Sequence, residues 1–574
     1  MKLIRYLKPY WFWALLTPLT MIGEVIADLL QPKLMSVLVN EGVLQNDQSL
    51  LISVGLRMLL IVALGGLAGT SCGVFASLAS QNFACDLRKD VFKSAMSLSF
   101  QQTDKFTTGS LITRLTNDIT QMQHFVEQCL RMFVRSGMMF IGGIVMMFTL
   151  DSRFGMMLLG ALPIQLILMF LILRVANPLY AKVQKRLDKV NNVMQENVNG
   201  ARMVKAYVQE ERETQRFNLA NEELTQTNLK VAFVIARLSP LLSIIMNLSV
   251  VGLIYLGGME AAASQMEVGT IMAAITYNTQ VLHSVMMVSM MFQSIARGRA
   301  SGKRLAEVLE TEPVIRSGEY APDTLGAVSF KRVGFSYPAR EGRPVLKDIT
   351  FTVNPGESIA ILGATGSGKS SLIHLITRFY DATEGEVRIG DTPIAEFDLQ
   401  NLRNRIAVVM QKSEIFSGTV AENIRWGKPD ATDEEVQQAA KIAQAAEFIE
   451  KMPEGYDTVI AEKGASLSGG QKQRLSIARA LVRRPELLIF DDSTSALDLA
   501  TESRLRAAIR EEMAGTTLIT VAQRIAGVMD CDRIAVLEDG ALAALGSHAE
   551  LMENSPVYQE IYRSQTKEGG VLNG

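Results

Sequence analysis

SIAILGATGSGKSS, residues 358 to 371, is the most informative segment for the fold of the second half of the chain. A run of strand-forming apolar residues leads into the pattern GxxxxGK[ST], and a helical pattern follows it. The glycines let backbone N–H groups approach phosphate oxygens, and the helix N-terminus adds partial positive charge. The stretch therefore predicts a nucleotide-binding loop, with Lys369 at the β- and γ-phosphates and Ser370 on Mg²⁺. The residues expected to bind the nucleotide are Gly363, Ala364, Thr365, Gly366, Ser367, Gly368, Lys369, Ser370 and Ser371.

A second strand with a charged end lies downstream. Four apolar residues, 487 to 490, lead directly into Asp491 and Asp492. A carboxylate at the end of a buried strand is costly unless it meets a cation. Asp491 is therefore predicted to be a Mg²⁺ ligand, the alternative being a solvated strand end. Together with the loop, this strand indicates a soluble α/β nucleotide-binding domain.

The first half of the chain alternates long apolar runs with polar ones. The 574 residues are 48% hydrophobic and still 20% charged, which suggests a chain divided between membrane and water. Several runs exceed the ~20 residues that cross a bilayer as a helix. A secretory signal is the competing interpretation of the first run, but the run continues towards Val39 without a small-residue cleavage site. The predicted membrane-spanning helices are residues 11–39, 51–82, 129–150, 154–176, 233–258 and 268–295.

Lysine and arginine are distributed unevenly between the connections. The N-terminus and the connections after the second and fourth spans carry several cations, whereas those after the first and fifth carry acids and no cation. Cationic connections stay in the cytosol, so both termini are predicted to be cytosolic. The two long cationic connections are predicted to be helices that extend into water, each interrupted once, at residues 101–105 and 199–202.

The composition changes after the last span. A charged helix is predicted from Lys303 to Glu310, a linker with proline and glycine follows, and short β-branched runs begin near Gly326. The predicted domains are a membrane domain at 1–298, a linker at 299–325 and a nucleotide-binding domain at 326–574. The formal net charge of −2 gives no basic field for nucleic acid, so no nucleic-acid partner is expected. The four cysteines have neither paired nor metal-binding spacing, so no disulfide or cysteine metal site is expected.

A short motif between the two nucleotide elements makes the assignment specific. LSGGQ occupies residues 467 to 471, and the order of loop, LSGGQ, Asp-ending strand and SALD (residues 495 to 498) resembles the ATP-binding cassette (ABC) family. With the spans before it, the chain resembles an exporter-type half-transporter of the multidrug and lipid kind over essentially its whole length. The resemblance implies an all-α membrane domain of six helices with long cytosolic extensions, followed by an α/β P-loop ATPase domain. It also implies ATP and Mg²⁺ as cofactors and a multi-pass protein of a bacterial plasma membrane.

The resemblance further implies roles at matching positions. Tyr337 is expected to stack on adenine, and Gln411 to sense Mg²⁺ and the attacking water and to touch the membrane domain. The breaks near Gln102 and Gly200 correspond to coupling helices. Two cassettes of this family close head to tail, so the signature residues cap ATP held on a partner chain. These residues are Ser468, Gly469, Gly470 and Gln471.

Two positions depart from the family pattern. Asp492 stands where the family has a catalytic Glu, and Gln523 stands where it has His. The shorter Asp retreats by about 1.5 Å from the water that a Glu orients, and misplacement on that scale costs on the order of a hundredfold in rate. Gln523 forms hydrogen bonds but cannot carry positive charge. We therefore expect Asp492, Gln523 and Gln411 to form an impaired catalytic site.

The departures favour division of labour between two different chains. This chain is expected to be half of a heterodimer whose partner has the Glu and the His but an imperfect signature. The alternative is a homodimer with two slow sites.

The sequence says less about the transported molecule. Resemblance to drug, lipid and peptide exporters implies a hydrophobic or amphipathic small molecule, with membrane lipid as a further partner. Methionine is abundant, at 29 residues, and suits either a promiscuous apolar surface or ordinary packing. Glu24 and Asp28 lie four residues apart on one face of the first span. Three interpretations are open for them: attraction of cationic substrates, pairing with Arg57, or exposure to water.

Three other functions stay open by resemblance: a siderophore importer of the same architecture, a ligand-gated channel-like protein and a regulatory ATPase that transports nothing. Substrate flux that depends on ATP hydrolysis distinguishes a transporter from the last two.

Overall fold

The computed structural model describes residues 2–263, 265–338, 344–493 and 497–568, which divide into two compact units. The first unit is Met1–Met96 with Gly109–Thr311, and the second is Ser97–Thr108 with Glu312–Gly574. The units differ from the predicted domains in two respects. The predicted linker, 299–325, is divided between them, with residues up to Thr311 in the first unit because α11 continues to Glu310. The second difference is a short segment. The chain passes from a helix of the first unit through Ser97–Thr108, here called the coupling segment, and back into the first unit.

The first unit is helical in its described elements. A 3₁₀ helix, Lys2–Tyr10, precedes the first α-helix, and a short helix, α3, lies in the coupling segment. The helices are α1 (Trp11–Val37), α2 (Gln48–Ser97), α3 (Phe100–Phe106), α4 (Thr108–Thr113), α5 (Ile119–Gln128), α6 (Val134–Leu150), α7 (Ser152–Asn199), α8 (Ala201–Ala206), α9 (Glu210–Ala236), α10 (Leu238–Ala262) and α11 (Val268–Glu310).

Five helical stretches of the described residues are long and apolar enough to cross a membrane. They are Leu3–Val43, Gln48–Ser97, Thr108–Leu150, Ser152–Asn199 and Glu210–Ala262, and they contain the first five predicted spans. The sixth predicted span lies in α11, a helix of 43 residues. Its first half carries polar side chains, among them Asn278, Gln280 and His283, which lower its hydropathy. The sixth crossing therefore stays a prediction.

The predicted interruption at residues 199–202 is confirmed, whereas the one predicted at residues 101–105 lies earlier, at residues 98–99, because residues 101–105 are themselves helical in α3. α2 ends at Ser97, and α3 begins after Ser99, whose backbone N–H donates to the side chain of Gln102 at 3.0 Å. α7 ends at Asn199, and α8 begins directly after Gly200. With 48 residues, α7 is about 72 Å long at 1.5 Å per residue, far more than a bilayer requires.

The two acids of the first span pair with a cation of the third. Arg135 donates to Glu24, and its other terminal nitrogen donates to Asp28 Oδ2 at 2.9 Å. A pairing was expected, but the prediction of Arg57 as the partner is wrong: Arg57 lies exposed on α2. The planar guanidinium has two donors that match two carboxylates one helical turn apart. The pairing accounts for two ionisable residues inside the first predicted span.

The second unit contains an α/β domain. Its strands are β1 (Val328–Phe335), β2 (Leu346–Val353), β3 (Ser358–Gly363), β4 (Glu384–Ile389), β5 (Thr392–Pro393), β6 (Ile406–Val409), β7 (Gly418–Thr419), β8 (Val459–Ile460), β9 (Leu487–Asp491), β10 (Thr517–Ala522), β11 (Arg533–Glu538) and β12 (Ala541–Gly546). Its larger helices are α12 (Lys369–Ile376), α13 (Leu399–Arg405), α14 (Val420–Arg425), α15 (Asp433–Ile442), α16 (Ala446–Glu450), α17 (Gly469–Leu481), α18 (Leu499–Glu512), α19 (His548–Asn554) and α20 (Pro556–Glu568).

The strands of the described residues form three sheets, and the largest carries the candidate site. Its order is β12-β11-β3-β10-β9-β6, parallel except for β12, while β2-β1-β4-β5 form an antiparallel sheet and β7 pairs with β8. Central strands are buried on both faces: Ile359 and Ile361 of β3 belong to one apolar cluster, and Ala360 and Leu362 to another. Two-sided burial explains the unbroken apolar runs in the sequence. Because these strands are parallel, their carboxyl ends lie at one edge.

Candidate nucleotide site

Four loops meet at the carboxyl edge of the parallel strands. The glycine-rich loop follows β3, Gln411 follows β6, Asp492 follows β9, and Gln523 follows β10. β10 pairs with β3 on one side and with β9 on the other, so their loops are neighbours. Ligands of open α/β sheets bind outside this edge. The loops surround a cavity of about 480 Å³.

The cavity brings together most of the predicted site residues. Gly363, Ala364 and Ser367 belong to the same loop but do not line the cavity, and Gly363 and Ser367 are buried beneath it. The predicted residues that line it are Tyr337, Thr365, Gly366, Gly368, Lys369, Ser370, Ser371, Gln411, Asp491, Asp492 and Gln523.

Two glycines of the loop are required by its backbone. The φ angle is +89° at Gly366 and +98° at Gly368, values that favour glycine. A Cβ on Gly368 would lie 2.6 Å from Leu346 Cδ2 and 3.0 Å from the Val345 carbonyl oxygen. Both conformation and space therefore require glycine at this turn, immediately before α12.

Three polar side chains of the predicted phosphate and Mg²⁺ site lie close together. Lys369 is only 7% exposed, and its ammonium donates to the carbonyls of Gly363 and Ala364 at 2.8 Å each. The Ser370 hydroxyl donates to Asp491 Oδ1 at 3.0 Å. Hydroxyl and carboxylate oxygens are ligands that Mg²⁺ prefers, with nucleotide and water oxygens filling the remaining positions. Among the described residues no cluster of three or more His, Cys, Asp or Glu is placed to hold a metal ion.

Burial moves the pKa values of the two charged residues towards their neutral forms. Desolvation lowers the pKa of Lys369, against the attraction of Asp492 and Asp491. Desolvation raises the pKa of Asp491, against the hydrogen bond from Ser370. Each shift reports the cost of a buried charge. A triphosphate and its metal supply the charges that offset that cost.

The two unusual residues of the catalytic position bond to each other. The Gln523 amide donates to Asp492 Oδ2 at 2.7 Å, and the Gln411 amide donates to the same oxygen at 3.3 Å. Asp492 has a φ of +49°, and its N–H donates to the Val521 carbonyl at 3.2 Å. The structure therefore unites the three predicted catalytic residues. These two hydrogen-bond donors are neutral amides that do not titrate.

Tyr337 is held at the cavity wall by an aromatic cluster. Its ring meets Phe335 and Tyr380 edge to face, with centroids 4.8 and 5.2 Å away. Its hydroxyl lies 3.0 Å from Ser371 Oγ and 3.2 Å from His374 Nδ1. These contacts fix the ring beside the loop, and stacking on adenine stays a prediction.

The coupling segment also contributes to the site, and this contribution was not predicted from the sequence. Asp104 lines the cavity and accepts a hydrogen bond from Tyr380 at 2.8 Å. Beside it, Phe100 stacks on Phe379 with centroids 4.3 Å apart. No local pattern signals a contact between residues so far apart in the chain. Only the predicted helix break near Gln102 marked this segment as special.

The LSGGQ residues lie elsewhere on the second unit. Ser468 caps α17: its hydroxyl accepts from the Gln471 N–H at 3.3 Å, and its own N–H donates to Gln471 Oε1 at 2.9 Å. Gly469 begins the helix and is exposed. All four signature residues are described, and none of them lines the cavity. An exposed helix N-terminus suits an anion brought by another molecule.

The last predicted motif is only partly described. Ser495 and Ala496 of SALD lie outside the described residues. Asp498 caps α18, accepting from the Thr501 N–H at 2.9 Å.

Comparison with known proteins gives independent findings. Residues 14–285 match the ABC transporter transmembrane region family, and residues 346–495 match the ABC transporter family. An uncharacterized ABC transporter ATP-binding protein of Bacillus subtilis, YfiB, is 39% identical over 98% of both chains. The ATP-dependent lipid A-core flippase of Chromobacterium violaceum is 32% identical over 99% of this chain and 97% of that protein. A bacterial Atm1-family ABC exporter solved with ATP bound has 26% identity and a TM-score of 0.79, covering 98% of this chain and 100% of that one.

Proposed function

The chain belongs to the ABC transporter family, with a transmembrane region and an ATPase domain in one polypeptide, and on that premise we propose that it is the slowly hydrolysing subunit of a heterodimeric exporter. Its own loop holds ATP, while its intact LSGGQ completes the active site of a partner half-transporter. The partner carries the Glu and the His that this chain lacks, together with an imperfect signature. The cargo is a hydrophobic or amphipathic molecule.

The observation that carries the proposal is the hydrogen bond from Gln523 to Asp492. A general base must hold its water within hydrogen-bond reach and accept a proton from it. Asp492 Oδ2 already accepts from two amides, at 2.7 and 3.3 Å. An amide also cannot offer the positive charge that stabilises a developing phosphoryl charge. Hydrolysis at this site is therefore slow.

ATP binding is separable from hydrolysis because it uses different residues. Lys369, Ser370 and Asp491 line the same cavity, and the bonded Ser370 and Asp491 offer the oxygen ligands that a nucleotide-bound Mg²⁺ prefers. Tyr337 offers an aromatic ring at the same cavity. We infer that the site retains ATP through many turnovers of the partner's site.

The cargo class rests on the membrane unit. Its long helices expose many large apolar side chains, which suit lipid and amphipathic molecules. The relative named as a lipid A-core flippase supports the inclusion of lipids.

The test is the identity of the nucleotide bound to the purified chain after incubation with radiolabelled Mg-ATP. We expect wild type and Asp492→Asn to retain labelled ATP alike, because the carboxylate does little hydrolysis. Lys369→Ala is the control and should retain none, since it removes the phosphate ligand. ADP on the wild type but ATP on Asp492→Asn would show that Asp492 is a working base and would refute the proposal.

A further inference from the structure

A second cavity, of about 490 Å³, lies in the first unit between the N-terminal 3₁₀ helix and α11. Apolar side chains dominate its wall, among them Leu7, Phe83, Phe125 and Ile295. None of its lining residues takes part in the nucleotide site. The volume is within the range of sites that hold small organic ligands.

The depth of this cavity follows from the predicted spans. Leu7 precedes the first span, Phe83 follows the second, Phe125 precedes the third, and Gly298 follows the sixth. All four positions adjoin cytosolic ends of spans. Trp11, 64% exposed, stands at the start of the first span, where aromatic residues mark a membrane interface. The cavity therefore lies at the level of the cytosolic lipid headgroups.

The N-terminal helix has the character of an interfacial helix. Leu3 and Leu7 line the cavity, whereas Arg5 and Lys8 supply cations on the same short helix. Such basic amphipathic helices lie in the plane of the membrane surface. Two tyrosines anchor the helix to α2, since the Tyr6 and Tyr10 hydroxyls donate to Asp90 and Asp86 at 2.8 and 2.7 Å. The wall of the cavity is thus fixed in place.

Glycine on α11 leaves the cavity open. A Cβ on Gly302 would lie 3.2 Å from Met122 Sδ and 3.5 Å from Leu3 Cδ1, so a larger side chain would occupy the space. Arg299 and Lys303, one turn apart on α11, are exposed and line the cavity near the membrane. The lining acid, Glu310, lies seven residues beyond Lys303, about 10 Å farther along the helix from the membrane. The membrane-proximal end of the cavity is therefore apolar inside and cationic at its rim.

We propose that this cavity binds an anionic phospholipid of the cytosolic leaflet. An acyl chain packs among the apolar side chains, and the phosphate meets Arg299 and Lys303. Because the cavity lies at the level of the headgroups, phospholipids can reach it. The cations favour a negatively charged headgroup, and the apolar wall disfavours a free anion that has no acyl chain. The proposal does not depend on the catalytic asymmetry of the ATPase site.

The test is native mass spectrometry of the purified full chain in detergent, titrated with phosphatidylglycerol or phosphatidylcholine of identical acyl chains. Wild type should bind phosphatidylglycerol preferentially. Arg299→Gln with Lys303→Gln should weaken that binding roughly twenty-fivefold, at about fivefold per interfacial cation. Binding of phosphatidylcholine should not change. Lys182→Gln with Lys185→Gln is the matched control, because that exposed basic pair on α7 has no part in the cavity. It should change neither affinity.

A second variant tests the acyl-chain position. Gly302→Leu fills the cavity and should weaken binding of both lipids at least tenfold. If this variant does not fold, the double variant of the exposed residues Arg299 and Lys303 still tests the proposal. The proposal would be overturned if wild type bound the two lipids equally. It would also be overturned if the Arg299 and Lys303 double variant and the Lys182 and Lys185 control lost phosphatidylglycerol affinity equally. Loss of dimer in Gly302→Leu with unchanged lipid binding would assign the cavity to a second copy of the chain and also overturn it.

Discussion

Replacing Asp492 with Glu is predicted to speed ATP hydrolysis at this chain's own site. The added methylene advances the carboxylate by about 1.5 Å, beyond the oxygen position at which Gln523 and Gln411 now converge. Misplacement of about 1 Å costs on the order of a hundredfold, so its correction should raise the rate ten- to a hundredfold, or about 1.4–2.7 kcal/mol in barrier. Adding Gln523→His should raise it further, since imidazolium supplies the missing positive charge.

The assay is phosphate release in lipid discs at saturating Mg-ATP by this chain together with its half-transporter partner, whose catalytic Glu is changed to Gln so that only this chain's site can turn over; nucleotide affinity is measured in parallel. Asp539→Glu is the matched control, because Asp539 also has a positive φ, +46°, directly after a strand but lies outside the cavity. It should leave the rate unchanged. An Asp492→Glu variant that binds ATP normally and hydrolyses it no faster than wild type would refute the explanation from side-chain length.

Three further changes test other contacts of the structure. Arg135→Gln leaves two carboxylates of the first predicted span unpaired and should lower the free energy of unfolding by about 1–3 kcal/mol. The loss is smaller than for a fully buried pair because the three side chains are 20–38% exposed. Thermal unfolding measures this change. Tyr380→Phe removes the hydrogen bond to Asp104 and should lower the local stability of the coupling segment by about 1–2 kcal/mol. The measurement is hydrogen exchange, which should become faster in the coupling segment. Tyr320→Phe is the control and should leave that exchange unchanged. Burial lowers the pKa of His374, so the folded state binds its proton less tightly than the unfolded state. Stability should therefore fall as pH drops through about 6.5, and His374→Gln should flatten that profile in denaturant titrations.

The nucleotide site was predictable because its signals are local in sequence. The loop, its strand and its helix are contiguous, and Gly366 and Gly368 adopt the positive φ that the motif requires. Asp491 was identified by the cost of a charge at a buried strand end. The order of the parallel strands, which brings the separate loops together at one edge, was not predicted from the sequence and is given by the structure.

Contacts between distant segments were not predictable in this way. Glu24 and Asp28 were expected to have a partner, but helical spacing does not say which helix is adjacent, and the partner is Arg135 rather than Arg57. A cation inside the predicted third span was the available signal. Asp104 gave no such signal, because its environment is made by residues more than two hundred positions away.

The most direct test of the account is ATPase activity in membranes that contain this chain alone, compared with membranes that also contain a half-transporter with the catalytic Glu and His. We expect activity only with the partner. That activity should be lost when the partner's Glu becomes Gln, and it should survive Asp492→Asn in this chain. Brisk hydrolysis by this chain alone, abolished by Asp492→Asn, would make Asp492 a working base in a homodimer and contradict the account.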